Sequence, residues 1–158
     1  MEGVEIVEYR PEYRAEFERL NRIWLEGHGL LEDLDLEYLQ DPEGHILAGG
    51  GQVFFALRGG TVIGTCAAIH AAPGVVELAK LTVDPAARGN GLGRALAERV
   101  VRFAREAGAK TVVLTSQSGL TAAIRLYESM GFGRAAVPPQ VRYATADVWM
   151  VLDLDAAR

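Results

Sequence analysis

The chain has 158 residues, 49% hydrophobic and 23% charged, a balance that builds a globular core. Its net charge of -5 and pI near 5.2 argue against a nucleic-acid partner, and its single cysteine, Cys66, excludes an internal disulfide framework. The N-terminal MEGVEIVEYR has no apolar signal region and no run approaches a membrane span, so a soluble, cytoplasmic chain without a membrane partner is expected.

Glu5 to Tyr9 reads as a strand. Pro11 to Glu26 reads as a helix with Phe17, Leu20, Ile23 and Trp24 on one face, broken by Gly27-His28-Gly29. Leu34 to Leu39 is a short helix stopped by Asp41-Pro42, and Gly49-Gly50-Gly51 a flexible turn. Gln52 to Leu57 and Thr61 to His70 form a hairpin through Arg58-Gly59-Gly60, and Val75 to Val83 extends the meander. Leu92 to Ala107 is an amphipathic helix, Thr111 to Leu114 a strand, Thr121 to Met130 a helix closed by Gly131, and Val148 to Leu154 a last strand. The order β-α-α-β-β-β-α-β-α-β describes one mixed α/β domain over residues 1–158, with no repeat and no linker.

The segment from Leu81 to Arg94, LTVDPAARGNGLGR, carries the strongest chemical signal. A strand runs through Asp84-Pro85 into Arg88-Gly89-Asn90-Gly91-Leu92-Gly93, and a helix starts at once. Glycines there let backbone N–H groups approach an anion, the helix N-terminus adds roughly half a positive charge, and Arg88 and Arg94 can add bidentate donors. This is a pyrophosphate cradle. It lacks the Gly-Lys-Ser/Thr of a P-loop. It also lacks the dinucleotide spacing and the ribose-binding acid, which disfavours a nicotinamide-dependent oxidoreductase.

Arg88 to Gly93 resembles the acetyl-CoA loop of the Gcn5-related N-acetyltransferases, whose signature is Gln or Arg, two residues, Gly, one residue, Gly or Ala. Ala123 to Phe132, AIRLYESMGF, resembles the same family's A-x-x-L-Y-x-x-x-G-F motif, in the expected order. The resemblance is close over Glu77 to Phe132 and includes the strands from Gln52 to His70; residues 1–50 match only in element order. It implies the acyl-CoA N-acyltransferase fold, a central twisted mixed sheet flanked by helices. Acetyl-CoA would be the cosubstrate, held in a V-shaped gap between the fourth and fifth strands.

The resemblance further implies transfer of acetyl to a primary amine in a ternary complex. Backbone groups along Leu81, Thr82 and Val83 would bind the pantetheine arm, and the loop from Arg88 through Asn90 to Arg94 the pyrophosphate. Tyr127 matches the tyrosine that protonates the departing thiolate; otherwise it packs a helix onto the sheet. Strict alternation puts Glu77 on one face with Val75, Ala79, Leu81 and Val83, where desolvation suits it to be a general base, and puts Lys80 on the other face in a structural role. An edge position facing water, an internal ion pair and substrate positioning remain open for Glu77. Many relatives place an asparagine where this chain has Ser116-Gln117-Ser118, so Gln117 or Ser116 takes over that contact.

The acceptor side is expected to draw on Trp24, His28, Glu32 and Tyr38, with Asp33, Asp35 and Glu37 nearby and Arg142, Tyr143 and Asp147 from the C-terminal hairpin. The acids of residues 31–37 either attract a cationic amine or form a solvated helix face. His28, His45 and His70 have no ligand spacing, so no metal is expected. The acceptor is a small-molecule amine or a protein amine, and a homodimer is compatible with the resemblance. The rival reading is a non-catalytic acetyl-CoA-binding or regulatory module with the same fold.

Overall fold

The computed structural model describes residues 3–155. Its elements are β1 (Val4–Glu8), α1 (Arg14–Gly27), α2 (Asp33–Gln40), β2 (Gln52–Arg58), β3 (Thr61–Ala72), β4 (Val75–Val83), α3 (Leu92–Glu106), β5 (Thr111–Ser116), α4 (Thr121–Ser129), β6 (Gly133–Ala135) and β7 (Val148–Asp153). The strands form one seven-stranded sheet in the order β1-β2-β3-β4-β5-β7-β6. Every neighbouring pair is antiparallel except β4 and β5.

The sheet is buried on both faces, which explains the near-continuous apolar runs of its central strands. On one face Phe54, Cys66, Leu78, Val112, Leu114 and Met150 pack against α3 and α4 through Leu96, Val100 and Ile124. On the other face Val53, Phe55, Ala67 and Ile69 pack against Phe17 and Leu20 of α1 and Leu39 of α2. Gly59 and Gly60 both take positive φ and close the β2–β3 hairpin tightly.

Two expectations need correction, and one strand was not expected. Pro11–Tyr13 is a separate 3-10 turn before α1, since the Tyr13 N–H donates to the Arg10 carbonyl at 2.9 Å and the Arg14 N–H to the Pro11 carbonyl, three residues back rather than four. Ile23 is not on the buried stripe: it is 48% exposed, three residues after Leu20 and one before Trp24, at the outer edge of that face. The strand β6, a short edge segment with exposed side chains, carries no apolar alternation by which to find it.

The decisive feature of the sheet is where β4 and β5 part. They pair only through Val75↔Thr111, Val76↔Val112 and Glu77↔Val113. Beyond that point β4 continues along β3 as far as Val83↔Gly64, while β5 continues along β7 as far as Ser116↔Val148. The two central strands thus diverge, and the backbone edge of β4 beyond Glu77 faces an opening instead of a strand.

A bulge sits at the divergence. Thr65 pairs with Thr82 and Ala67 with Ala79, so β4 spends one more residue than β3 over this stretch. Lys80 takes φ +57, the left-handed region, which costs a residue with a Cβ on the order of 1–2 kcal/mol. The extra residue reverses the alternation. Glu77 and Ala79 face the α1 and α2 side, whereas Leu81 and Val83 pack into the α3 and α4 core. The expected common face for Glu77, Leu81 and Val83 is therefore overturned, and so is the expected separation of Lys80 from Glu77.

Among the described residues no helix is long and apolar enough to cross a membrane, and no cluster of three His, Cys, Asp or Glu side chains could hold a metal ion.

Candidate active site

The glycine loop folds as a cradle for an anion. Asp84 accepts from the Ala86 N–H at 2.9 Å and starts a 3-10 turn over Pro85–Ala87. Gly89 and Gly91 follow at φ +84 and +76, and Gly91 is the N-cap of α3. No side chain caps that helix, so its first-turn N–H groups stay available to a ligand. A Cβ at Gly89 or Gly91 would meet nothing within 4 Å, so the space outside the loop is clear for a bulky anion. The residues present fit a pyrophosphate.

The flanking arginines hold the loop rather than project freely. Arg88 donates from Nε to the Val83 carbonyl at 3.2 Å, and Arg94 is tied to the Ser129 hydroxyl of α4. Asn90 donates from Nδ2 to the Ala87 carbonyl at 3.4 Å. All three lie beside the cradle, but the arginine side chains also stitch the loop to β4 and α4, and that of Asn90 ties the loop to its own preceding turn.

From this cradle the strand opening leads to a cavity of about 220 Å³. Leu81 of β4, Tyr127 and Ala123 of α4, Ser116 at the end of β5 and Gln117 just after it line one end. Glu77, Lys80, Asp35, Trp24, Tyr143 and Thr145 line the other. The cavity thus passes through the sheet between β4 and β5. Thr82 and Val83 lie outside its wall, farther along β4.

Tyr127 is set by its local sequence. Gly131, at φ +102, turns the chain so that the Phe132 N–H donates to the Tyr127 carbonyl at 3.1 Å. Phe132 then meets the Tyr127 ring edge-on at 5.8 Å between centroids. Tyr127 is only 7% exposed, and burial pushes its phenol well above the ordinary value, so it keeps its proton. Cys66 lies close enough to add to that shift, and burial raises its own thiol too. A thiolate formed in these surroundings would be strongly basic.

Glu77 stands at the apex of the opening. Burial raises its pKa, and the Lys80 ammonium pulls it partly back. Lys80 forms an ion pair with Asp35 whose side chains are 8% and 3% exposed. It also donates to the Tyr143 hydroxyl at 3.0 Å, and its Nζ lies 4.9 Å from the centre of the Tyr143 ring and 5.8 Å from that of Tyr38. Burial, then Asp35 and Glu77, raise the Tyr143 phenol. Lys80 is therefore part of the site, not a structural residue of the opposite face. Its signal was hidden because alternation cannot show a bulge.

The acceptor candidates separate. Trp24 lines the first cavity. Tyr38 lines a second, adjoining one, and burial raises its pKa. His28 lines neither: it stacks on the Trp24 ring at 4.4 Å, and its Nδ1 lies 2.8 Å from the Trp24 carbonyl. Glu32 works as a clamp. Its side chain and that of Asp35 form the capping box of α2, and it accepts from the Ala144 and Thr145 N–H groups, each at 3.0 Å, and from the Thr145 hydroxyl at 2.6 Å. Burial alone would raise its pKa; those bonds outweigh it and hold the carboxyl below the ordinary value.

Gln117 lines the cavity, but its Oε1 accepts from the Gly119 N–H at 2.9 Å, so the turn already uses that oxygen. Asp147 accepts from the Ser118 N–H and hydroxyl, both at 2.7 Å, and ties this turn to the segment before β7. Thr115, Tyr143 and Trp149 gather at the site from distant parts of the chain. Trp149 carried a readable signal, as an aromatic at an alternate position of a strand.

The sequence profile of the acetyltransferase (GNAT) family matches residues 8–132. The chain belongs to that family. The GNAT fold is matched by an acetyltransferase from Staphylococcus aureus with a TM-score of 0.87 at 20% identity, over 96% of this chain and 99% of that one. A putative acetyltransferase from Salmonella typhimurium, solved with its cofactor acetyl-CoA, matches with a TM-score of 0.75 at 28% identity, over 96% and 94%. Among curated relatives, the N-acetylaspartate synthetase of Rattus norvegicus is 35% identical over 106 residues, 66% of this chain and 33% of that protein. The chain thus spans about a third of the length of the first curated relatives it matches.

Proposed function

We propose that this GNAT domain transfers the acetyl group of acetyl-CoA directly to a primary amine. One observation carries the reading: β4–β5 pairing stops at Glu77↔Val113, and a cavity runs through the resulting gap from Tyr127 to Glu77. A thioester lying in that gap is reached by a base from one side of the sheet and by an acid from the other.

Glu77, directly or through a water, takes a proton from the ammonium form of the acceptor, because only the neutral amine has a lone pair. The nitrogen bonds to the thioester carbon and the carbon–sulfur bond breaks. A backbone N–H at the open edge of β4 near Leu81 stabilises the negative charge that develops on the carbonyl oxygen; one such donor is worth about 3 kcal/mol. Tyr127 gives its proton to the departing sulfur, and the excess proton that the bonded nitrogen still carries is lost to water and restores the Tyr127 phenol. A high phenol pKa does not defeat this, since the same burial that raises the phenol raises a thiol beside it. Arg88, Gly89, Asn90, Gly91, Leu92, Gly93 and Arg94 bind the pyrophosphate, and Gln117 contacts the cosubstrate near the thioester through its remaining amide N–H groups. Trp24 and Tyr38 line the approach of the amine; His28 and Glu32 act by holding Trp24 and the 144–145 segment.

The test is calorimetric titration with acetyl-CoA, CoA and NAD, followed by thiol release on a panel of amines. Binding of acetyl-CoA but not NAD, with release on one class of amine, is the expected result. Binding without release on any amine would instead support an acetyl-CoA-binding regulatory module, and no acetyl-CoA binding would refute the cradle.

A further inference from the structure

Beside the first cavity lies a second, of about 380 Å³, on the α1 and α2 side of the sheet. Its floor is made by alternate residues of three strands: Val75 and Glu77 of β4, Val113 and Thr115 of β5, and Trp149 of β7. Tyr38 of α2 and the 140–143 segment, which brings Tyr143, cover it. Glu77, Thr115 and Tyr143 line both cavities, so the second space opens onto the same carboxyl that faces the first.

The chemistry of this wall is specific. Three aromatic rings, those of Tyr38, Tyr143 and Trp149, stand among aliphatic side chains. Its only two charged residues are Glu77 and Arg142. Arg142 lies at the rim, 3.9 Å from Glu37, with side chains 68% and 53% exposed. A chain of several ammonium groups would need carboxylates along its length, and only Glu77 is there. An acidic amino acid would need cations inside the cavity for its two carboxylates; Lys80 is paired with Asp35, and Arg142 stands at the exposed rim. A flat uncharged ring needs neither, and its faces suit the aromatic walls.

We propose that the second cavity holds the body of the acceptor, and that the acceptor is an arylalkylamine: a primary amine on a short arm from an uncharged aromatic ring. The ring lies between Tyr38, Tyr143 and Trp149, and the arm brings the nitrogen to Glu77. This rests on the acetyl-transfer reading above.

The experiment compares tryptamine and 2-phenylethylamine with spermidine, aspartate and a lysine-bearing peptide. It uses the whole chain and measures both thiol release at saturating acetyl-CoA and direct amine binding by calorimetry. We expect kcat/KM for tryptamine at least about 100-fold above that for spermidine or aspartate. Trp149→Ala should raise the tryptamine KM about tenfold while leaving the acetyl-CoA KM unchanged, and Trp149→Phe should restore most of the loss. Ala72→Trp, at an exposed rim position of the cavity, should block tryptamine without a loss of core packing, should Trp149→Ala not fold. Preferred turnover of spermidine, aspartate or the peptide overturns the arylalkylamine and leaves acetyl transfer standing. Tryptamine binding sensitive to Ala72→Trp, with no thiol release, supports the cavity and overturns the transfer reading. Absence of both binding and turnover with arylalkylamines overturns the cavity assignment.

Discussion

Glu77 and Val113 are the last paired residues between β4 and β5, so the carboxyl stands where the sheet opens. Its position gives it two consequences with opposite signs. Burial raises its pKa above the ordinary 4.5, which suits a base working near neutral pH and makes its ionisation costly to the fold.

The catalytic consequence is a pH profile. kcat/KM should rise with pH through the raised Glu77 pKa, and Glu77→Gln should lower kcat and remove that ascending limb. A pH–rate profile of both proteins checks this; an unchanged limb in Glu77→Gln would assign the base elsewhere.

The stability consequence runs the other way. A carboxyl whose folded pKa is raised contributes stability that is fully present below its unfolded value and is lost as pH rises through the folded value. Glu77→Gln, neutral and of similar shape, should therefore be more stable than the parent at pH 8 and indistinguishable from it at pH 4. Urea unfolding at the two pH values checks this, and equal stability at pH 8 would mean that the buried carboxylate carries no cost.

Lys80 and Asp35 form the most buried ion pair of the site. Removing one partner strands the other charge, so Lys80→Met should cost about 3–5 kcal/mol. The double change Lys80→Met with Asp35→Asn should cost less than Lys80→Met alone, since the asparagine oxygen can still accept the Glu32 N–H that Asp35 now holds at 2.8 Å. A double-mutant cycle by chemical denaturation measures the coupling, and additive costs would show that the pair is energetically idle.

Tyr127→Phe removes one oxygen and keeps the ring on Phe132. Loss of a general acid typically costs 10²–10⁴-fold, so kcat should fall by roughly 100-fold or more with the acetyl-CoA KM within about twofold. Steady-state kinetics decide it: an unchanged kcat would leave Tyr127 as a packing residue.

Gly91 and Gly93 sit two residues apart and should respond differently. Gly91 has φ +76, so Gly91→Val strains the cradle itself and should weaken acetyl-CoA binding at least about tenfold. Gly93 has no positive φ, and an added Cβ would meet Leu126 and Val83 at 3.9 and 4.0 Å, so Gly93→Ala should fold normally. Calorimetry with thermal unfolding compares them; equal binding by Gly91→Val and the parent would remove the loop from the cosubstrate site.

The sequence alone determined whatever depends on near neighbours in the chain. The glycine cradle is a strand end, a turn and a helix start within fourteen residues, Leu81 to Arg94, and each step has a local cause in φ, capping or periodicity. The packing of Phe132 on Tyr127 is local as well, since the Gly131 turn brings the two rings together, whereas a proton-donor role for Tyr127 came only from the family resemblance. The order of the long elements followed from their apolar periods.

Only the tertiary structure decided the rest. Whether Lys80 faces Glu77 depends on how many residues β4 spends opposite β3, and a bulge is a property of the pair of strands, invisible to the alternation of one. Where β4 leaves β5 depends on both strands being claimed by other partners, β3 and β7. The meeting of Asp35, Lys80, Tyr143 and Trp149 depends on loops closing over the sheet. Those contacts gain their energy from burial shared among distant segments, and no window of sequence contains more than one side of it.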